Sequence, residues 1–211
     1  MNPGVKVISY NSPVPFLYYQ DLFAEEELKL IYSELDFYQE SKDIFFQTDT
    51  SQTNGATDSN GESLKRNGGF FMNNLWGEIK SPIGRFTCDI FNTPILNHPS
   101  NYFFNDFNPE LNGFLVSYYE SQDCYKPHRD TTVATLVIWL WKEPKKFNGG
   151  EFHFTDFPNV KLKTSNNCAV LFPGQYKHHV NPVKMNNGFS ASKEDGFGRY
   201  SFTLFMNHAI R

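Results

Sequence analysis

The run GFLVSYYESQDCYKPHRDTTVATLVIWLW, residues 113–141, holds two strand candidates and a polar link. GFLVSYY (113–119) and VATLVIWLW (133–141) are short and dense in β-branched and aromatic residues, which suit a pleated, buried surface. The same texture recurs downstream in GEFHF (150–154), VKLK (160–163), CAVLF (168–172) and RYSFTLFMN (199–207). Each run is bounded by Gly, Pro, Asn or Asp, the residues that punctuate turns. Many short strands with no helix between them point to a barrel or jelly roll.

Upstream of residue 113 the pattern is different. AEEELKLIYSELDFY (24–38) places Leu28, Ile31, Tyr32 and Leu35 at helical spacing, with acidic residues at the positive end of the helix dipole. Trp76, Ile79, Ile83, Phe86 and Ile90 continue a similar rhythm across Ser81-Pro82. Proline cannot donate inside a helix, so the chain either kinks there or begins a new helix capped by Ser81. Residues 47–69 are polar and Gly-rich and read as a long loop, a candidate substrate-side lid. The expectation is one α+β domain over 1–211. Helical support and the lid loop occupy 1–112, and the helices pack on one sheet of a jelly-roll β-core over 113–211.

Composition narrows the function. A net charge of -4 with scattered Lys and Arg gives no electrostatic reason to expect nucleic acid. No apolar run approaches the length needed to span a bilayer, and MNPGVKVISYNSP lacks the apolar centre of a signal peptide. Cys88, Cys124 and Cys168 are an odd set without CxxC spacing, which suits reduced thiols and a cytoplasmic setting.

The sharpest local feature is Pro127-His128-Arg129-Asp130. Side chains two apart in an extended segment share a face, so His128 and Asp130 can reach one metal ion. A histidine from a distant strand would complete a two-His, one-carboxylate face with open positions, which suits non-haem Fe(II). HxD alone is common, and HRD also opens a kinase catalytic loop; HRDTTVAT lacks the Asn that such a loop carries five residues on. Downstream, LFPGQYKHHVNPV (171–183) runs from an apolar strand through a Pro-Gly turn to paired histidines.

In order, SYYESQDCYKPHRD, FNGGEFHF, LFPGQYKHHVNPV and GRYSFTLF resemble the prolyl 4-hydroxylase-like Fe(II)/2-oxoglutarate-dependent dioxygenases. The resemblance covers about residues 113–207. Its H-x-V-x-P-V pattern makes His178, not His179, the third iron ligand beside His128 and Asp130. Strand alternation agrees, since neighbours face opposite ways.

The resemblance further implies that Arg199 pairs with the far carboxylate of 2-oxoglutarate, a task suited to a planar, forked cation. The separation of Arg199 from His178, 199 − 178 = 21, exceeds the spacing the resemblance implies. The excess lies in the polar stretch 184–198, expected to bulge as a loop, and Lys184 is the alternative cation. Tyr119 is implied as a hydrogen-bond donor to the same carboxylate. Tyr125 is placed near iron and cosubstrate, and Trp139 stands where relatives carry a second cosubstrate-binding tyrosine. Phe152 is expected to wall the pocket; His153 and His208 read as structural, and His98 sits in an Asn/Pro loop.

Fe(II), 2-oxoglutarate and O2 are thus the implied cofactors, with ascorbate as accessory reductant. The implied reaction hydroxylates a substrate C–H and releases succinate and CO2. The partner is a peptide, protein or small molecule, with a prolyl residue in a peptide as the first candidate. Free amino acids and small metabolites are the alternatives within the class. A catalytically silent jelly-roll binding module and a zinc cupin-like enzyme are the rivals outside it.

Overall fold

A computed structural model of the chain describes residues 2–41, 57–72, 80–186 and 195–209. Two strands, β1 (Lys6–Tyr10) and β2 (Phe16–Gln20), precede helix α1 (Glu25–Glu40). Then come β3 (Lys65–Arg66), β4 (Gly68–Phe71) and helix α2 (Pro82–Asp89). The β-core follows as β5 (Pro109–Tyr119), β6 (Cys124–His128), β7 (Ala134–Leu140), β8 (Phe147–Gly149) and β9 (Phe152–Phe154). It closes with β10 (Cys168–Pro173), β11 (His178–Val180), β12 (Val183–Met185) and β13 (Arg199–His208).

The strands form a large sheet of order β1-β2-β10-β7-β13-β5-β4 and a small sheet of order β3-β6-β11-β9. A two-stranded ribbon, β12-β8, completes the described set. Every pairing is antiparallel. The result is the expected jelly roll with helices on one sheet.

Period-two alternation divides the large sheet into two apolar faces. On β7, Leu136, Ile138 and Leu140 join the cluster containing Ile31 and Leu35 of α1 and Ile83 and Phe86 of α2. Val137 and Trp139, the residues between them, join the opposite cluster with Phe152, Phe154 and Val180 of the small sheet. On β13, Tyr200, Phe202 and Leu204 face the helices, while Ser201, Thr203 and Phe205 line a cavity between the sheets.

Both helices begin where side chains supply caps. The Glu27 carboxylate accepts from the Ala24 backbone N–H at 2.8 Å at the start of α1. The Ser81 hydroxyl accepts from the Gly84 N–H at 2.9 Å, and Pro82 occupies the first helical position. A new helix capped by Ser81 is therefore what forms; Trp76 and Ile79 lie outside the described residues.

Three local expectations are corrected. VKLK (160–163) forms no strand: Val160 and Leu162 pack against the inner cluster, but the backbone joins no sheet. Residues 57–69 are not an unstructured loop. Thr57 bridges Ser63, β3 pairs with β6, and β4 pairs with β5, so a Gly-rich stretch extends both sheets. Sheet edges require backbone pairing more than bulky side chains, which is why composition hid them. The remainder of the lid candidate, 47–56, lies outside the described residues. Finally, the stretch 184–198 does not leave the fold at once, because Lys184 and Met185 pair with Asn148 and Phe147. No described helix is long and apolar enough to cross a membrane.

Candidate metal and cosubstrate site

β6 and β11 are neighbours in the small sheet, and His128 lies directly opposite His178. Paired residues of antiparallel strands share a face, so both imidazoles enter the space between the sheets. Asp130 follows just beyond β6. Its Oδ1 lies 3.7 Å from His128 Nε2, and its Oδ2 lies 3.7 Å from His178 Nε2. One ligand atom from each of the three side chains lies within 4.8 Å of the others.

The unused ring nitrogens are held by the backbone. His128 Nδ1 is 2.9 Å from the Lys126 carbonyl, and His178 Nδ1 is 2.9 Å from the Tyr176 carbonyl. A carbonyl can only accept, so each Nδ1 carries the proton and each Nε2 keeps a lone pair facing Asp130. Burial, aided for His128 by the neighbouring His178, pushes both imidazoles down to about 4. They are therefore neutral and able to ligate at neutral pH. Burial raises the Asp130 carboxyl, and the Thr135 hydroxyl opposes this by donating to Oδ2 at 2.6 Å.

Gly174, in the Pro-Gly turn, carries the Asp130 loop. Its carbonyl accepts from the Asp130 N–H at 2.9 Å. A β-carbon on Gly174 would stand 2.4 Å from the Thr132 carbonyl oxygen and 3.1 Å from Asp130 Cβ, so only glycine lets the turn approach the site. His179 faces the other way: its ring stacks on His153 at 5.2 Å and its Nδ1 is 2.9 Å from the Thr155 hydroxyl.

The cavity has a volume of about 380 Å³ and runs from the His-Asp-His group past Tyr125, Tyr119, Ser117 and Ser201. The Tyr125 ring stacks on His128 with centroids 3.5 Å apart, and Phe152 stacks on His178 at 5.4 Å. Arg199 stands just behind the Tyr119 wall, its guanidinium 5.1 Å from that ring. Arg199 is 0% exposed, and its Nε and both terminal nitrogens have no hydrogen-bond partner among the described residues. Burial pushes it down to about 10, and burial pushes the Tyr119 phenol up to about 12. Gly150 leaves room for it, since a β-carbon there would lie 3.0 Å from Arg199 Cδ.

Three orphaned nitrogens on a buried cation call for an anion, and a dicarboxylate reaching past Tyr119 would supply one. Two imidazoles and a carboxylate are likewise the donor set of a non-haem Fe(II) centre.

Trp139 is fully buried and does not line the cavity; Tyr18 and Phe152 flank it at 6.5 and 6.0 Å. Its indole N–H also lacks a partner among the described residues. Lys184 pairs in the β12-β8 ribbon and does not line the cavity. His208 packs edge-on against Phe107, and His98 pairs with Ser100.

Several side chains of the site escaped the reading of the sequence. Ser201 and Thr203 follow Arg199 at a period of two within an otherwise apolar strand, a polar stripe that alternation could have flagged. Thr135 and Lys65 carried no such signal.

Residues 114–207 match the family described as the 2OG-Fe(II) oxygenase superfamily. Over those residues the β-core is similar to a 2OG-Fe(II) oxygenase domain. A Pseudomonas putida prolyl-4-hydroxylase superposes with TM-score 0.56 at 13% identity, covering 94% of this chain and 95% of that one. A prolyl 4-hydroxylase from Phytophthora capsici gives TM-score 0.56 at 14% identity, covering 92% of this chain and 59% of that one. The structure of OsALKBH1 gives 0.55 at 12% identity, with 95% and 100% covered. At such identities the likeness is one of fold. No curated protein matches the chain.

Proposed function

We propose that His128, Asp130 and His178 hold Fe(II) and that Arg199 takes the far carboxylate of 2-oxoglutarate. Tyr119 donates to that same carboxylate. With O2, iron and 2-oxoglutarate supply the oxidation, yielding succinate, CO2 and a hydroxylated substrate C–H. The observation that carries the reading is the convergence of two Nε2 lone pairs on one carboxylate, with both Nδ1 positions held by carbonyls.

The chain's own residues bind, orient and shield. The Lys126 and Tyr176 carbonyls fix the tautomer and the aim of the two imidazoles. Thr135 opposes the burial that raises the Asp130 carboxyl and holds it in register. Tyr125 and Phe152 cover the outer faces of the histidine rings and keep water from them. Arg199, desolvated and without a partner among the described residues, fixes the direction in which the cosubstrate enters. Trp139, off the cavity lining, holds one further buried donor without a partner among the described residues.

A prolyl residue in a peptide is the first substrate candidate, supported by neighbours of the same fold that are prolyl hydroxylases. Ascorbate is the proposed accessory reductant. The three free cysteines support a reducing, cytoplasmic setting. The test incubates the enzyme with Fe(II), 2-oxoglutarate and panels of prolyl peptides and free amino acids. Succinate release and a mass gain of one oxygen are expected together. Succinate formation that persists without added Fe(II) and survives chelation would contradict the proposal.

A further inference from the structure

The cavity holds a cation that neither the metal nor the cosubstrate uses. Lys65 lies on β3, the edge strand of the small sheet, directly opposite Tyr125 on β6. Paired positions share a face, and Lys65 accordingly lines the cavity. Its Nζ is 5.8 Å from the centre of the Tyr125 ring, which in turn covers His128. Among the described residues no carboxylate forms an ion pair with it. The side chain is only partly buried, and that burial pushes its ammonium down to about 8.

Charge around the centre indicates what is missing. A ferrous ion and the 2-oxoglutarate dianion cancel, as do Arg199 and Asp130. Arg129, at the cavity rim, pairs with Asp156 at 3.2 Å. Lys65 is left without a compensating carboxylate among the described residues, and it comes from a different sheet than Arg199. A partly buried cation at a cavity wall is stabilised by an anion, and the cavity that Lys65 lines is open to a substrate.

Resting on the assignment of metal and cosubstrate above, we propose that Lys65 anchors a carboxylate of the primary substrate, so that the enzyme hydroxylates a carboxylate-bearing molecule. The carboxylate belongs either to a free amino acid or to an acidic side chain of a peptide. Anchoring it at Lys65 ties down the substrate beside the His128 edge of the metal face.

The test uses the full chain loaded with Zn(II) and 2-oxoglutarate, so that nothing turns over. Calorimetric titrations compare free L-amino acids and end-blocked Asp- and Glu-containing peptides, each against its carboxamide counterpart. A carboxylate in one arm is expected to bind roughly ten- to a hundredfold more tightly than its amide, the range of a hydrogen bond to a charged group. Binding in the first arm assigns an α-carboxylate, and binding in the second an acidic side chain. Lys65→Met is expected to reduce the acid to the affinity of the amide, Lys65→Arg to restore it within a few fold, and both to leave 2-oxoglutarate affinity within about twofold.

Three results would overturn the role of Lys65. These are equal binding of acids and amides, no carboxylate binding in either arm, or a loss of 2-oxoglutarate in Lys65→Met as steep as in Arg199→Met. The acid-against-amide comparison needs no variant, so it stands even if Lys65→Met misfolds. Failure to load Zn(II) or 2-oxoglutarate at the outset is a separate result and contradicts the metal and cosubstrate assignment itself.

Discussion

The small sheet and the large sheet bring functional groups to one cavity in opposite states of satisfaction. On the small sheet, His128 and His178 are each pinned through Nδ1, and Asp130 is held by Thr135. On the large sheet, Arg199 is buried with three nitrogens that have no partner among the described residues. The first group is held by its own hydrogen bonds, so its geometry is set by folding. The second is a stored electrostatic demand that folding leaves unmet until an anion arrives. Preorganisation at the metal and hunger at the cosubstrate pocket are thus different physical devices, and mutations separate them.

The largest effect is expected on the small sheet. His128→Ala, Asp130→Ala or His178→Ala removes one of three ligands and should weaken metal binding by more than about a hundredfold, beyond the 10–100-fold of an outer-shell loss. His179→Ala, whose ring stacks on His153, should change it less than about threefold. Metal titrations of the four variants check this, and a large loss in His179→Ala alone would reverse the strand register.

On the large sheet, Arg199→Met should keep the metal and weaken 2-oxoglutarate by roughly 150- to 5,000-fold, matching the 3–5 kcal/mol of a broken buried ion pair. The ligand-free protein should move the other way. Without an orphaned guanidinium it gains roughly 1–3 kcal/mol of stability, read by denaturant melts with and without 2-oxoglutarate. A less stable ligand-free variant would mean that Arg199 has a partner in the fold after all.

A smaller effect belongs to Thr135. Thr135→Val keeps the shape but removes the donor to Asp130, and metal affinity should fall by roughly 10–100-fold.

The smallest expected effect is one of pH. Two ordinary histidines, titrating near 6.5, would lose metal affinity by about fifteenfold between pH 8 and pH 6, since protons compete for both. Here the folded values are depressed to about 4, so both imidazoles remain unprotonated across that window. The imidazoles should therefore account for less than about threefold across that window, and a steeper loss would report protonation of Asp130, whose carboxyl burial raises.

The sheets also differed in how legible they were. β5, β7, β10 and β13 stand out in the sequence because both of their faces are buried, one against the helices and one inside, so they read as continuous apolar runs. The strands that went unread are short: β1, β3 and β4 lie at sheet edges, β8 and β12 in the ribbon, and β2 and β6 inside the sheets. β3 and β4 are a few residues of Lys, Arg, Gly and Phe whose pairing comes from distant partners. VKLK misled because its alternation has a packing partner but no backbone partner. At the site, His128, Asp130, His178, Tyr119 and Arg199 carried motif order, and the structure brings them around one cavity or just behind its wall. Thr135 and Lys65 owe their places to tertiary pairing, which spacing along the chain cannot express.

The most direct measurement is an anaerobic titration of the full chain with Fe(II) and 2-oxoglutarate, following the visible charge-transfer absorption of the chelate. The wild type is expected to saturate at one chelate per chain. His178→Ala should show no band, and Arg199→Met should show the same band only at much higher 2-oxoglutarate. An absent band in the wild type, or a band that forms equally well in His178→Ala, would contradict the assignment of the iron site.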